Sequence, residues 1–209
     1  MNAADPVLPR SFFARDSLAV APELLGKVLV RRAPEGDRAG RIVEVEAYRG
    51  ADDPASHAFR GPTPRTTTMF GPAGHLYVYF SYGMHWCANV VCARPDEASA
   101  VLIRALEPVQ GVEAMTAARP GARRPVDVSN GPAKLCEALG ITGADDGADL
   151  LSGDRGIRVV DDGTPPPAVP GVGPRVGISV AVEQPWRWFD PHSPFVSRAP
   201  GPRAAVARG

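Results

Sequence analysis

Two glutamates stand two positions apart in the segment IVEVEAY, residues 42–48. Side chains two apart on an extended strand point to one face, so Glu44 and Glu46 would share a face with Ile42 and Tyr48. Carboxylates about 6.6 Å apart along a strand would suit the acid and base of an inverting glycosidase. A half-exposed strand with two solvated carboxylates fits the same pattern. The spacing alone leaves both interpretations open.

A run of aromatic residues, LYVYFSY at 76–82, supplies a second candidate group. Tyr77 and Tyr79 would share one face of a strand, which is also common in an aromatic-rich core. Tyr82 and Gly83 fall at the predicted tip of a hairpin, where glycine provides the backbone freedom of a tight turn. A bulky ring at such a tip indicates insertion into a partner, as in proteins that push side chains between DNA bases.

Polar side chains in unusual places form the third group of candidates. His57 and Arg65 provide hydrogen-bond donors in HAFRGPTPRTTTMF, a proline-stiffened segment suited to a pocket wall or a phosphate clamp. Asn89 and Arg104 each interrupt an apolar strand and therefore need a polar partner. An internal hydrogen bond satisfies that need as well as a ligand does, so neither residue identifies a site alone.

The bulk composition describes an ordinary globular protein without a membrane or metal signature. The 209 residues suffice for one well-buried core or two small ones, and 44% are hydrophobic. Zero net charge gives no electrostatic argument for a nucleic-acid partner, although a local basic face is compatible with it. The start, MNAADPVLPRSFF, lacks the apolar segment of a secretory signal, so we expect a cytoplasmic protein. Three cysteines without C-x-x-C spacing predict neither disulfides nor a metal site.

The periodicity predicts a single α+β domain with a mainly antiparallel, curved, β-rich core, flanking helices and a protruding β-hairpin. The segment 49–75 is expected to be a long ordered loop, and 161–174 an irregular one. Ser129 or Asn130 is the predicted cap of the third helix. Strands are predicted at 27–32, 41–48, 100–106, 156–160 and 175–181 and as a hairpin within 75–93, with helices at 16–26, 111–119 and 129–140.

Taken together, these segments resemble the alkyladenine (3-methyladenine) DNA glycosylases of the monofunctional type. The similarity runs through RIVEVEAYRGADDPASHAFRGPTPRTTTMFGPAGHLYVYFSYGMHWCANVVC and continues in VLIRALEPVQG, SNGPAKLCEALGI, RVGIS and SPFVSR. It implies a glycosylase domain at 11–198, with an N-terminal leader at 1–10 and a tail at 199–209 that we expect to be disordered.

The resemblance implies hydrolysis of the N-glycosidic bond of alkylated or deaminated purines flipped out of duplex DNA, the first step of base-excision repair. Glu46 would be the base that activates water, and Arg104 and the backbone at Ile178 would place that water. Asn89 would disfavour the amino group of normal guanine. The remaining implied roles are base-pocket walls for Tyr48, His57 and Tyr79, a minor-groove wedge for Tyr82, and DNA contacts for Met69 and Arg65.

The same resemblance sets the remaining expectations. No lysine in the matched segments is positioned to form a Schiff base, so we expect no lyase step, and Lys134 is the lysine whose position should be checked. We also expect no cofactor. The expected partner is damaged double-stranded DNA, bound by a nucleoid-associated monomer whose aromatic walls attract cationic bases. One alternative is a non-catalytic nucleic-acid-binding module that uses the same pocket and wedge. Another is a carbohydrate O-glycosidase that requires both Glu44 and Glu46.

Overall fold

An antiparallel sheet organises the chain in the computed structural model, which describes residues 6–197. Nine strands of this part of the chain join in the sheet, and the path β6-β3-β4-β5-β2-β1-β7 runs across it, while β9 pairs with both β2 and β8. The expected α+β class and mainly antiparallel sheet are confirmed. The strands are β1 (Val28–Arg31), β2 (Arg38–Arg49), β3 (His75–Ser81), β4 (His85–Cys92), β5 (Ser99–Gln110), β6 (Ala148–Asp149), β7 (Ile157–Val160), β8 (Gly171–Gly173) and β9 (Arg187–Phe189).

Strand β2 lies in the middle of the sheet and carries the two glutamates. Strand β5 pairs with one edge of β2, and β1 and β9 share the other edge. Residues 42–47 are each at most 2% exposed, which excludes the half-exposed strand considered for this segment. The pairing with β5 shifts register on both sides of Glu44, an irregularity that bends a strand and re-aims its side chains.

The helices cover the apolar side of the sheet. They are α1 (Arg10–Phe13), α2 (Ser17–Leu24), α3 (Val112–Ala117) and α4 (Pro132–Leu139). Asp16 caps α2 by accepting a hydrogen bond from the Leu18 amide. No helix within residues 6–197 has the length and apolar character required to cross a bilayer.

The start of α4 differs from the prediction. Its N-cap is Gly131, not Ser129 or Asn130, and Pro132 follows as the first helical residue. Ser129 is instead buried beside β5, where its hydroxyl donates to the Leu106 carbonyl at 2.7 Å. The Ser129 side chain, predicted as a helix cap, therefore forms its hydrogen bond with a backbone carbonyl of β5 instead.

The hairpin between β3 and β4 is confirmed at its predicted position. Tyr82 and Gly83 both have positive φ, 51° and 66°, and the Met84 amide donates to the Ser81 carbonyl. Positive φ at two successive central residues is the geometry of a type I′ turn, whose twist matches that of the flanking strands. The turn leaves the side chain of Tyr82 83% exposed.

The predicted strand at 175–181 is wrong. These residues form bends, because Arg175 is held in a buried ion pair and the Val176 amide donates to Glu46 instead of to a neighbouring strand. Strand β8 lies instead in the stretch predicted to be irregular, and β9 went unpredicted. The tail at 199–209 and the first five residues of the proposed leader lie outside the described residues.

Candidate active site

A cavity of about 810 Å³ opens between the hairpin, the segment 54–69 and the segment 176–180. The sheet forms its floor, since Tyr48 of β2, Asn89 of β4 and Arg104 of β5 all line it. These strands are hydrogen-bonded neighbours, so their pairing holds the three side chains in fixed relation. The predicted site residues come together here, including His57, Arg65, Met69, Tyr79, Tyr82 and Ile178, which all line the cavity.

Glu46 lies directly beneath the cavity floor and is itself fully buried. Its Oε1 accepts a hydrogen bond from the Val176 amide at 2.7 Å and lies 3.1 Å from Nη1 of Arg104. Its Oε2 accepts a hydrogen bond from the Tyr48 hydroxyl at 2.9 Å. All three partners line the cavity. Oε2 therefore has one hydrogen-bond donor and Oε1 has two partners among the described residues.

Burial raises the pKa of Glu46 above its ordinary value, while Arg104, the Val176 amide and the Tyr48 hydroxyl pull it back. Burial and the adjacent Glu46 carboxylate raise the pKa of Tyr48 well above its ordinary value. Tyr48 therefore stays protonated and donates a hydrogen bond, and the Glu46 carboxylate is more basic than that of an exposed glutamate.

Arg104 bridges the two glutamates of β2. Its Nε donates to Oε1 of Glu44 at 3.0 Å, while Nη1 faces Glu46. Glu44 also accepts hydrogen bonds from Arg187 of β9 and from both the amide and the hydroxyl of Ser197. Two carboxylates and two guanidinium groups thus form a charge-balanced buried cluster beneath the cavity.

Aromatic rings form one wall of the cavity. His57 and Tyr79 meet edge to face with ring centroids 4.5 Å apart, and Tyr77 stacks on Tyr79 at 5.4 Å. His57 Nδ1 lies 3.3 Å from the Tyr77 hydroxyl, which fixes the ring orientation. Burial, with a contribution from Arg65, lowers the pKa of His57, so the imidazole is neutral at pH 7.

The other predicted residues lie at different depths. Asn89 is buried and donates from Nδ2 to the Tyr77 carbonyl, so it has the internal bond considered as its simpler explanation. Met69 is only 3% exposed and packs in a small core cluster at the cavity wall. Ile178 is half-buried, and the amide that reaches Glu46 belongs to Val176, two residues earlier.

Several residues of the site were not predicted from sequence. They are the Val176 amide, the Arg175–Asp53 pair behind Tyr48, and the Glu44 partners Arg187 and Ser197. Ser197 lies in the SPFVSR segment, which is part of the resemblance described above. That resemblance is the sequence signal that could have identified Ser197. Within residues 6–197, no group of three or more His, Cys, Asp or Glu side chains is arranged to hold a metal ion.

Comparison with known proteins agrees with this arrangement. The family model for methylpurine-DNA glycosylase matches residues 11–194. A Burkholderia lata protein is 58% identical over 91% of both chains, and a Methanocella arvoryzae protein is 50% identical over 94% of this chain and 98% of its own. A Streptomyces avermitilis protein is 48% identical over 94% of both. All three carry the name "putative 3-methyladenine DNA glycosylase". The chain therefore belongs to the methylpurine-DNA glycosylase family.

Proposed function

We propose that the chain removes alkylated or deaminated purines from double-stranded DNA by hydrolysis with a water molecule that Glu46 activates. Membership of the family makes it a DNA glycosylase, an enzyme that cleaves N-glycosyl bonds. The substrate range, the flipped-out base and the residue roles below are parts of the proposal. The supporting observation is that the buried Glu46 carboxylate contacts three groups that line the cavity, namely Arg104, the Val176 amide and the Tyr48 hydroxyl.

In the proposed reaction, the water oxygen attacks C1′ of the deoxyribose while the C1′–N bond breaks. The base leaves with the bonding electron pair, and Glu46 accepts the proton that the water loses. Positive charge develops on the sugar, as in glycoside hydrolysis, and a nearby carboxylate stabilises it. In this proposal Arg104 holds Oε1, the Tyr48 hydroxyl holds Oε2, and the water would bind to Oε2.

The cavity suits a purine that has left the base stack. Tyr48, His57 and Tyr79 would contact the flipped base, and Asn89 would read its exocyclic group from the floor. Met69 and the segment around Ile178 would complete the wall. A damaged or mispaired base costs less to extrude, which adds selectivity before the pocket is reached.

Tyr82 is the proposed wedge. It stands at the tip of a rigid two-stranded hairpin, next to the cavity, with its ring exposed to solvent. A non-glycine residue at positive φ is uncommon, and here that conformation directs the ring away from the sheet. Inserted into the space that the base vacates, the ring would offset lost stacking.

The remaining parts of the proposal concern the assembly and the type of chemistry. Lys134 donates to Asn130 at 2.7 Å and is partly buried, which supports hydrolysis without a Schiff-base step. Arg65, exposed beside the hairpin, is the proposed phosphate contact. We infer a monomer that acts on chromosomal DNA in the cytoplasm.

The direct test is release of bases from defined duplexes. Duplexes with a single hypoxanthine, ethenoadenine or 7-methylguanine should yield abasic sites, detected by alkaline strand cleavage. No cleavage should occur without the alkaline step, because the proposal contains no lyase activity. Binding of all three duplexes without any base release would favour the non-catalytic module instead.

The wedge has its own test. Tyr82→Ala should slow excision from a matched duplex by at least about tenfold, as expected from losing a stacked aromatic ring. Excision from a single strand that holds the same lesion should change little, because that substrate is not stacked in a helix. Val169→Ala, which shortens an equally exposed apolar side chain, is the control. An equal loss on both substrates would contradict the wedge role.

A further inference from the structure

A buried ion pair lies behind the ring of Tyr48, outside the cavity. Nη2 of Arg175 donates to Oδ1 of Asp53 at 2.8 Å, and Nη1 donates to Oδ2 of the same carboxylate. Both side chains are fully buried. Neither residue lines the cavity, and the reaction proposed above uses neither of them. A buried ion pair adds little net stability over apolar side chains, so what this pair holds in place is the informative feature.

The guanidinium of Arg175 holds the part of β2 that carries Glu46 and Tyr48. Its Nη1 also donates to the carbonyl of Ala47, the residue between them, at 3.0 Å. Its Cζ lies 4.6 Å from the ring centroid of Tyr48 and 5.0 Å from that of Trp186. A planar guanidinium can stack on aromatic rings while it donates hydrogen bonds in its own plane. Arg175 therefore fixes the orientation of the Tyr48 ring, whose hydroxyl donates to Oε2 of Glu46.

The same arginine lies beside the second donor to Glu46. Val176 follows Arg175 directly in the chain, and its amide donates to Oε1 of Glu46 at 2.7 Å. Residues 175–181 form bends and belong to no strand, so no ladder of backbone hydrogen bonds fixes this amide. Its position therefore depends on the anchored side chain of the residue before it.

Asp53 connects this anchor to the rim of the cavity. Its Oδ1 accepts a hydrogen bond from the Ala55 amide at 3.0 Å, and its backbone carbonyl accepts one from the Ser56 amide at 2.9 Å. Residues 54–57 line the cavity. The ion pair thus joins the rim of the cavity to the segment that carries the Val176 amide.

We propose that Asp53 and Arg175 are positioning residues for the base of the reaction. Through their ion pair they hold two donors, the Tyr48 hydroxyl and the Val176 amide, in place for Glu46. Neither residue of the pair touches the DNA or the attacking water. The inference rests on the proposed function and deepens it, because it assigns the support of the proposed base to a pair outside the cavity.

Loss of the pair should make Glu46 harder to ionise. Burial raises the pKa of Glu46, while Arg104, the Val176 amide and the Tyr48 hydroxyl lower it. Arg104 is held separately by Glu44, so displacement of the other two donors should raise the pKa of Glu46. Among the described residues, the charged and titratable groups around Glu46 are Glu44 and Tyr48 of β2, Tyr79 of β3, Arg104 of β5, Arg187 of β9 and, behind Tyr48, Arg175.

Arg175→Lys is the first test, because lysine keeps the positive charge but loses the two-pronged pairing and the stacking on Tyr48. Single-turnover excision of hypoxanthine from a duplex is measured against pH, and thermal unfolding shows that the variant is folded. The acid limb of the rate profile should move to higher pH by about one unit, the size expected when a carboxylate loses a hydrogen bond. At a pH below the limb, the rate should fall by about tenfold, because only the ionised base accepts a proton.

Asp53→Asn tests the other half of the pair, and Arg31→Lys is the matched control. Loss of the Asp53 charge alone would lower the pKa of Glu46, so a limb that moves to higher pH in Asp53→Asn indicates displaced donors. Arg31 lies 2.6 Å from a buried carboxylate oxygen of Asp145, and neither residue of that pair lines the cavity. Arg31→Lys should lower the thermal stability and leave the acid limb in place.

The inference is overturned if the acid limb of folded Arg175→Lys and Asp53→Asn stays in place or moves to lower pH, since the pair would then be a structural ion pair only. An equal movement of the limb in Arg31→Lys would overturn it too, because the limb would then follow stability and not the donors of Glu46. Release of no base by the wild-type protein would contradict the proposed function itself, which is a distinguishable result.

Discussion

Glu44 and Glu46 lie two residues apart on one strand and are equally buried, yet their surroundings differ. Glu44 accepts four hydrogen bonds, from Arg104, Arg187 and both polar groups of Ser197. Glu46 accepts two and has one guanidinium nearby. Three of the bonds to Glu44 fall on Oε1 and one on Oε2, and its partners Arg187 and Ser197 do not line the cavity, whereas all three partners of Glu46 do. Residue type and burial do not separate these glutamates; the position of their donors relative to the cavity does.

The donors come from different parts of the chain. Those of Glu44 include Arg187 and Ser197, which are 143 and 153 residues away in sequence. Glu46 accepts a hydrogen bond from the Val176 amide, which belongs to the segment 176–180 that lines the cavity. Arg187 and Ser197, near the C-terminal end of the described chain, therefore surround Glu44 with donors. The segment that contains Val176 holds Glu46 beneath the cavity. The proposal thus gives Glu44 a structural role and gives the chemical role to Glu46, two positions later.

The sharpest test of this division is Glu46→Gln. We expect excision to fall by about 10²–10⁴-fold, the contribution typical of a general base, with duplex binding retained. Burial raises the pKa of Glu46, so the ionised side chain lowers stability as the pH rises from the unfolded-state value through the folded-state pKa. Glutamine does not carry that cost but leaves Arg104 with Glu44 as its one carboxylate partner among the described residues, so we expect a smaller loss of thermal stability than in Glu44→Gln. Full activity in single-turnover assays would refute the assigned base.

Glu44→Gln should give the opposite pattern. The amide leaves Arg104 with Glu46 alone, removes the one carboxylate that Arg187 contacts among the described residues, and turns an N–H₂ group toward other donors. Removing one partner of a buried ion pair typically costs about 3–5 kcal/mol, and we expect a loss of that order in urea unfolding. Glu23→Gln, which breaks the exposed pair with Arg15, should cost less than about 1 kcal/mol.

The activity of Glu44→Gln tests whether Glu44 takes part in the chemistry. If the folded fraction still excises hypoxanthine, Glu44 acts only through position and stability. Complete inactivity of a folded Glu44→Gln protein would remove the distinction between the two glutamates.

Ser197→Ala should sharpen the same comparison with a smaller effect. The hydroxyl of Ser197 donates to Glu44 at 2.8 Å and accepts from Nη2 of Arg104 at 3.2 Å, while the backbone amide of Ser197 survives the change. Loss of hydrogen bonds to charged groups should cost about 1–2 kcal/mol of unfolding free energy. Ser152→Ala, at an exposed serine, is the control and should leave the unfolding midpoint unchanged.

Part of this arrangement follows from sequence alone. Alternation and turn chemistry predict the hairpin and the exposed ring of Tyr82, and the apolar runs predict the central strands. Glu46 was chosen over Glu44 by resemblance, since spacing treats the two alike. The donors of Glu44 could not be predicted, because contacts across more than 140 residues leave no local pattern. The strand predicted at 175–181 fails for the same reason, since the pairing of Arg175 with Asp53 overrides local propensity.

Tyr48→Phe gives the smallest expected effect, and it tests the basicity of Glu46. The variant keeps the ring in the cavity wall but removes the hydroxyl that donates to Oε2. That bond lowers the pKa of Glu46 against the larger effect of burial, so its loss should raise the pKa further. Glu46 acts as base only when it is ionised, and excision therefore falls as the pH falls through this pKa. The acid limb of the single-turnover profile should move to higher pH in Tyr48→Phe, while the rate above that limb stays close to the wild-type rate. A limb at an unchanged pH would mean that it reports a group other than Glu46.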